Sequence, residues 1–94
     1  MQSLITPDKM CYFCFSERNL EKHHCFKGPN RKRADKDGLW CWLCPECHRG
    51  TDGVHGKNGH YKDVTLKIVA ESAWLEHCNG TVEEFIECYG KNWL

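Results

Sequence analysis

The sequence predicts a small α+β domain, and three observations carry that prediction. Two Cys-x-x-Cys pairs, Cys11/Cys14 and Cys44/Cys47, bracket the middle of the chain. Between them lie two short apolar runs, residues 20–26 and 39–43, each of strand length. Beyond them, residues 60–94 carry apolar side chains at helical spacing. The 94 residues read as one domain, 1–94, with a core over 11–56 and a helical part over 60–94. A chain this short buries a modest core, so staples such as metals or oligomerisation are expected to support it.

The eight cysteines have to be read against a compartment. The first ten residues lack a basic start followed by an apolar run, and no stretch approaches transmembrane length. The expectation is a cytoplasmic protein with no membrane partner, where disulfides are rare and Cys-x-x-Cys pairs more often bind metal. Cys11, Cys14, Cys44 and Cys47 then match a closed, tetrahedral structural zinc site. The 29 residues between the pairs exceed a minimal zinc ribbon and leave room for a two-stranded hairpin. Cys25, Cys41, Cys78 and Cys88 lack ligand spacing and read as small apolar residues.

Taken in order, residues 1–10 show no period and read as a loosely packed lead-in. Residues 20–26 alternate, with Leu20, Lys22, His24 and Phe26 on one face and Glu21, His23 and Cys25 on the other. The adjacent histidines His23 and His24 should therefore point apart and have different tasks. Residues 27–38 open with Gly28-Pro29-Asn30, which is turn chemistry, and continue as a charged stretch read as a basic loop. Residues 39–43 form the second strand, with Trp40 and Trp42 read as packing. A short helix is expected from about Cys47 to Thr51, and residues 53–59 read as a flexible loop carrying His55. In the helical part, Leu66, Val69, Ala70, Ala73 and His77 share a face, leaving Lys67, Glu71 and Glu76 largely elsewhere. Asn79-Gly80 ends that helix. Thr81 and Glu84 form a capping-box pattern for the next, whose buried stripe is Val82, Phe85, Ile86 and Tyr89.

The net charge of zero conceals an asymmetry. Residues 1–62 hold eleven Lys/Arg against seven Asp/Glu, and residues 63–94 hold two against six. This excludes a protein that coats nucleic acid through bulk charge but permits local phosphate contacts.

A zinc ion saturated by four thiolates has no open position and cannot activate water. Any catalysis needs a second ion and other ligands, and His23, His24, His48 and His55 are the available set.

The doublet ending in His24, the hairpin, and the string Leu43-Cys44-Pro45-Glu46-Cys47-His48 resemble the HNH endonucleases of the ββα-metal (His-Me finger) class, in its zinc-knuckle branch. The whole chain is also similar, more weakly, to small phage-encoded HNH proteins. The resemblance implies a ββα-metal hairpin–helix motif clamped by the four-cysteine zinc. It implies His23 as a ligand of a catalytic divalent ion, His24 as the general base, His48 as a second ligand and His55 as a third. The implied activity is metal-dependent hydrolysis or nicking of DNA with weak sequence specificity. Arg31 would contact phosphate, with Lys32 and Arg33 beside it. The chain departs from the family in two places. His23 stands where Asp is commoner, which favours Mn²⁺, Ni²⁺ or Zn²⁺ over Mg²⁺. The family's Asn, a few residues before Leu43-Cys44, is absent from Gly38-Leu39-Trp40, so its bracing of the catalytic histidine would pass to backbone or to Asn30. A part in phage or recombination machinery rests on the narrower likeness alone. The competing reading is a non-catalytic zinc module that binds nucleic acid or a protein.

Overall fold

The computed structural model describes all residues, Met1–Leu94. Strand β1, Glu21–His24, pairs antiparallel with β2, Trp40–Leu43, in a two-stranded sheet. The register sets His23 opposite Cys41 and His24 opposite Trp40. His23 is buried on one side of the hairpin and His24 is half-buried on the other, as strict alternation requires. Around the hairpin stand helices α1 (Arg31–Asp37), α2 (Pro45–Arg49), α3 (His60–Cys78) and α4 (Val82–Tyr89). The protein is a small α+β domain with a four-cysteine cluster and C-terminal helices, as the sequence predicts.

The connection between the strands is a correction. Residues 27–38 are not a loop: a 3-10 turn, Gly28–Asn30, runs directly into α1. Arginine, lysine and alanine are strong helix formers, and Ala34 is the one residue of α1 that is buried. Gly38 closes α1 at φ 76°, a left-handed cap that also lets the N-terminal segment pass close by. A Cβ at Gly38 would lie 2.6 Å from the Gln2 carbonyl oxygen.

That contact belongs to a second correction. The first residues are docked along β2, with Leu4 N–H donating to the Gly38 carbonyl at 2.9 Å and Trp42 N–H donating to Thr6 Oγ1 at 3.1 Å. Ser3 and Thr6 are buried, and the Ser3 hydroxyl reaches the Trp40 carbonyl. Sequence period could not show this, because a segment that pairs with a strand edge through side-chain hydroxyls has no hydrophobic alternation.

Helix α2 starts at Pro45, two residues before the expected position, because proline suits the first turn and Cys44 serves as its cap. The faces of the C-terminal helices are rotated from expectation. Leu66 and Ala70 are buried as expected and Trp74 is buried with them, but Glu71 is fully buried and His77 is exposed. Glu71 Oε1 accepts the Trp93 N–H at 2.6 Å, which ties residue 93 to α3, while Oε2 is buried without a partner. On α4, Phe85 and Tyr89 are buried, Val82 is half-buried and Ile86 is exposed. The capping box forms in both directions, with Glu84 N–H on Thr81 Oγ1 at 3.2 Å and Thr81 N–H on Glu84 Oε1 at 3.0 Å.

The main core joins the hairpin to the last helix. Phe26 packs against Phe85 and Tyr89, with ring centroids 5.7 and 4.8 Å apart, and Trp74 closes on Phe85 at 5.4 Å. Cys25 and Cys41 are fully buried here, whereas Cys78 is exposed and Cys88 half-buried. Trp40 is buried and Trp42 half-buried, in keeping with packing. Helix α4 also braces α1. Tyr89 OH donates to Asp37 Oδ2 at 2.6 Å, and Asn30 Nδ2 donates to the Tyr89 carbonyl at 3.3 Å. No helix is long and apolar enough to cross a membrane.

Candidate metal centres

Two clusters of ligand side chains meet on α2, one through Cys44 and Cys47 and the other through His48. The first is Cys11, Cys14, Cys44 and Cys47, whose sulfurs all lie within 4.8 Å of one another. Each pair turns two thiols inward because a two-residue spacing closes on one point. Backbone contacts set the pairs together: Cys11 N–H donates to the Ser16 carbonyl at 2.8 Å, and Tyr12 N–H donates to the Trp42 carbonyl at 3.0 Å. Cys14 and Cys44 sulfurs are 3.5 Å apart. Burial pushes the Cys11 thiol up, but backbone hydrogen bonds from Cys14, Cys44 and Phe13 outweigh it and hold the thiol down, at about 7. Burial pushes Cys47 well above the ordinary thiol range. Four packed thiols, one of them poised to ionise and another costly to ionise without a cation, fit a zinc ion.

The second cluster is His23, His48 and His55, again with one donor atom from each within 4.8 Å of the others. Ring centroids are 5.2 Å apart for His23–His48 and His23–His55, and 4.8 Å for His48–His55. β1 supplies the first imidazole and α2 the second. The third comes from residues 53–59, which the sequence reads as a flexible loop and which are instead folded back onto α2. His55 N–H donates to the His48 carbonyl at 3.0 Å, and Val54 N–H donates to the Cys47 carbonyl at 2.9 Å. Backbone approaches so closely that a Cβ on Gly56 would fall 1.9 Å from the Gly50 carbonyl oxygen.

Hydrogen bonding assigns the protons. A carboxylate only accepts, so His48 Nδ1, 2.7 Å from Glu21 Oε1, carries the proton and Nε2 keeps its lone pair. This carboxylate–histidine arrangement is the usual support of a metal-ligating imidazole. Arg49 first, then His48, hold the Glu21 carboxyl at about 2, so the support is an anion. His23 Nε2 is buried with no hydrogen-bond partner, an orphan that an ion would satisfy. Burial, followed by the neighbouring His48 and His55, lowers His23 to about 3, which keeps the ring neutral and able to ligate. The three histidines therefore fit a divalent ion, and an all-nitrogen set favours the softer transition metals.

His55 is the exception in one respect. The Lys27 ammonium donates to its Nδ1 at 3.1 Å, and burial followed by Lys27 lowers its basicity. Lys27 thus competes with a bound cation both by its charge and by claiming that lone pair. Lys27→Met is expected to tighten Ni²⁺ binding to the zinc-loaded protein by roughly tenfold, given one nearby charge at intermediate dielectric. Calorimetric titration checks this, and unchanged affinity would remove Lys27 from the site.

His24 stands apart from the cluster, yet it opens into the same groove as His23, His48 and His55. Lys22, Lys27 and Arg31 line the rest, with no carboxylate among them. A shallower extension adds Lys32 and Asp35 to His24 and Arg31. Arg33 does not line either part, so of the expected phosphate contacts the structure brings Arg31 and Lys32 to the histidines. Asn30, engaged with Tyr89, does not reach His24. The partner of His24 is Asp35, whose Oδ1 lies 3.0 Å from His24 Nε2. Glu21, Lys22, Lys27 and Asp35 were not singled out in the sequence, because ordinary charged residues on a small surface carry no spacing signal.

A set of four thiols and a set of three imidazoles, each close enough to converge on one ion, decide the class of molecule. The chain is a metal-binding domain. Comparison with protein-family models, curated proteins and solved structures finds no match. The ββα-like arrangement of hairpin and short helix around the histidines is therefore carried by the chain's own geometry.

Proposed function

We propose that this domain is a metal-dependent DNA endonuclease of HNH type, with the four cysteines holding a structural zinc. The observation that carries the reading is the shared groove: an unliganded histidine beside a three-histidine cluster, in a cleft whose other charges are positive. Neither cluster alone would suggest phosphodiester chemistry. A base, a place for a divalent ion and cations for an anionic substrate within one cleft do.

In this reading Arg31 and Lys22 seat the phosphate, and Lys32 holds the flanking backbone. His23, His48 and His55 would hold the divalent ion, which when bound supplies positive charge to the phosphoryl and departing 3′-oxygens. His24 takes the proton from the attacking water. Hydrolysis in this sense leaves 5′-phosphate and 3′-hydroxyl ends. The cations contact backbone, and no element is placed to read base edges, so weak sequence preference follows.

Supercoiled plasmid is expected to be nicked with Mn²⁺ or Ni²⁺ and left intact in EDTA under conditions where zinc is retained. Absence of cleavage with every divalent ion and every DNA form would favour the non-catalytic zinc module instead.

A further inference from the structure

We propose that Asp35 is the positioning residue for His24, a carboxylate on α1 that fixes the ring and leaves its other nitrogen free to take a proton. The inference rests on the nuclease reading for its purpose, and on geometry for the contact itself. Asp35 Oδ1 lies 3.0 Å from His24 Nε2, and His24 makes no other hydrogen bond. Since a carboxylate only accepts, Nε2 must be the N–H, and in the neutral ring the lone pair then falls on Nδ1. One contact thus settles both ring orientation and tautomer.

Asp35 is itself held. Its Oδ1 also pairs with Lys22, whose ammonium lies 4.2 Å from the centre of the Trp40 ring. Lys22 first, then His24, keep the Asp35 carboxyl at about 2, so it remains an acceptor at any working pH. Strand β1 cannot supply such a partner. Its neighbour across the sheet at His24 is Trp40, which packs and offers no acceptor to the imidazole. The acceptor has to come from the crossover, and α1 presents Asp35 one turn after Arg31, over the strand. The helix that brings a phosphate-binding guanidinium to the groove therefore also brings the group that aims the base. Asp35 touches neither substrate nor ion. Its effect passes through His24.

The experiment compares the zinc-loaded parent with Asp35→Ala, Asp35→Asn and Lys22→Met, by plasmid nicking in Mn²⁺ and by NMR without added Mn²⁺. The parent should show a slowly exchanging His24 Nε2–H resonance. Asp35→Ala should lose that resonance and lose about 10- to 100-fold in kcat, as outer partners of this kind do, with KM for DNA and zinc content unchanged. Asp35→Asn keeps an acceptor oxygen, and should retain the resonance and lose less than about tenfold. Lys22→Met should raise KM but keep the resonance. A parental kcat in Asp35→Ala, or a resonance that survives there, would overturn the positioning role. Loss of the resonance in both Asp35→Ala and Lys22→Met, with a lowered unfolding temperature in both, would assign the ring's order to general packing of α1 on β1, and overturn it too. A parent that nicks with no metal overturns the nuclease reading and the catalytic purpose together, while the resonance still decides whether the contact exists.

Discussion

Replacing Cys44 with serine is expected to release the structural zinc and abolish cooperative folding. Cys44 is buried, touches Cys14 across the cluster at 3.5 Å, and accepts the Cys47 N–H as the cap of α2. A structural zinc in a small module contributes about 10–16 kcal/mol of apparent binding free energy. Whole domains are stable by only about 5–15 kcal/mol. Here the first knuckle is joined to the rest of the fold by backbone pairing with β2, by packing of Cys11, Tyr12 and Phe13 on the core, and by the thiol cluster, which is the part the substitution removes. Metal analysis should fall from one tightly held zinc per chain to almost none, and the thermal transition should broaden or vanish. Full zinc with a sharp transition in Cys44→Ser would refute the four-cysteine site.

The second large effect is expected of His24→Ala, which should reduce nicking by about 10²- to 10⁴-fold, the range for loss of a general base. The fold should not notice. His24 lies at the rim of the hairpin, only half-buried, and its single polar partner, Asp35, retains Lys22. Zinc content and unfolding temperature should match the parent, as should Ni²⁺ affinity, because His24 is outside the three-imidazole cluster. Rates equal to the parent would show that His24 is not the base. A parallel loss of zinc would show that the residue is structural.

What the sequence made legible was what has a period or a spacing. The Cys-x-x-Cys pairs imply one cluster, and alternation along β1 separates His23 from His24. The part expected of His48 comes from the resemblance, not from spacing. Helix α1 was missed because a helix with one buried residue, Ala34, shows no apolar stripe; its signals were composition and the closing Gly38. The placement of His55 depends on backbone hydrogen bonds through a glycine-rich turn, which leave no trace in side-chain pattern. Asp35 could not be found at all by spacing, since its contact with His24 is made by a helix folded over a strand. The assignment of Asn30 as a brace failed for the same reason, its amide being used by Tyr89.

Cys47 and His48 are consecutive residues on α2, a helix of five residues. One turn of backbone thus carries a sulfur ligand for one cluster and a nitrogen ligand for the other, and Glu21 and Arg49 grip that same turn. The two metal positions are mechanically a single part. A chelator that strips an ion from the thiols would scatter the imidazoles without ever touching them, and under the nuclease reading would inhibit as fully as one that removed the ion of the histidines. Sensitivity to chelation therefore speaks for a reactive ion only in a molecule shown to have kept its zinc.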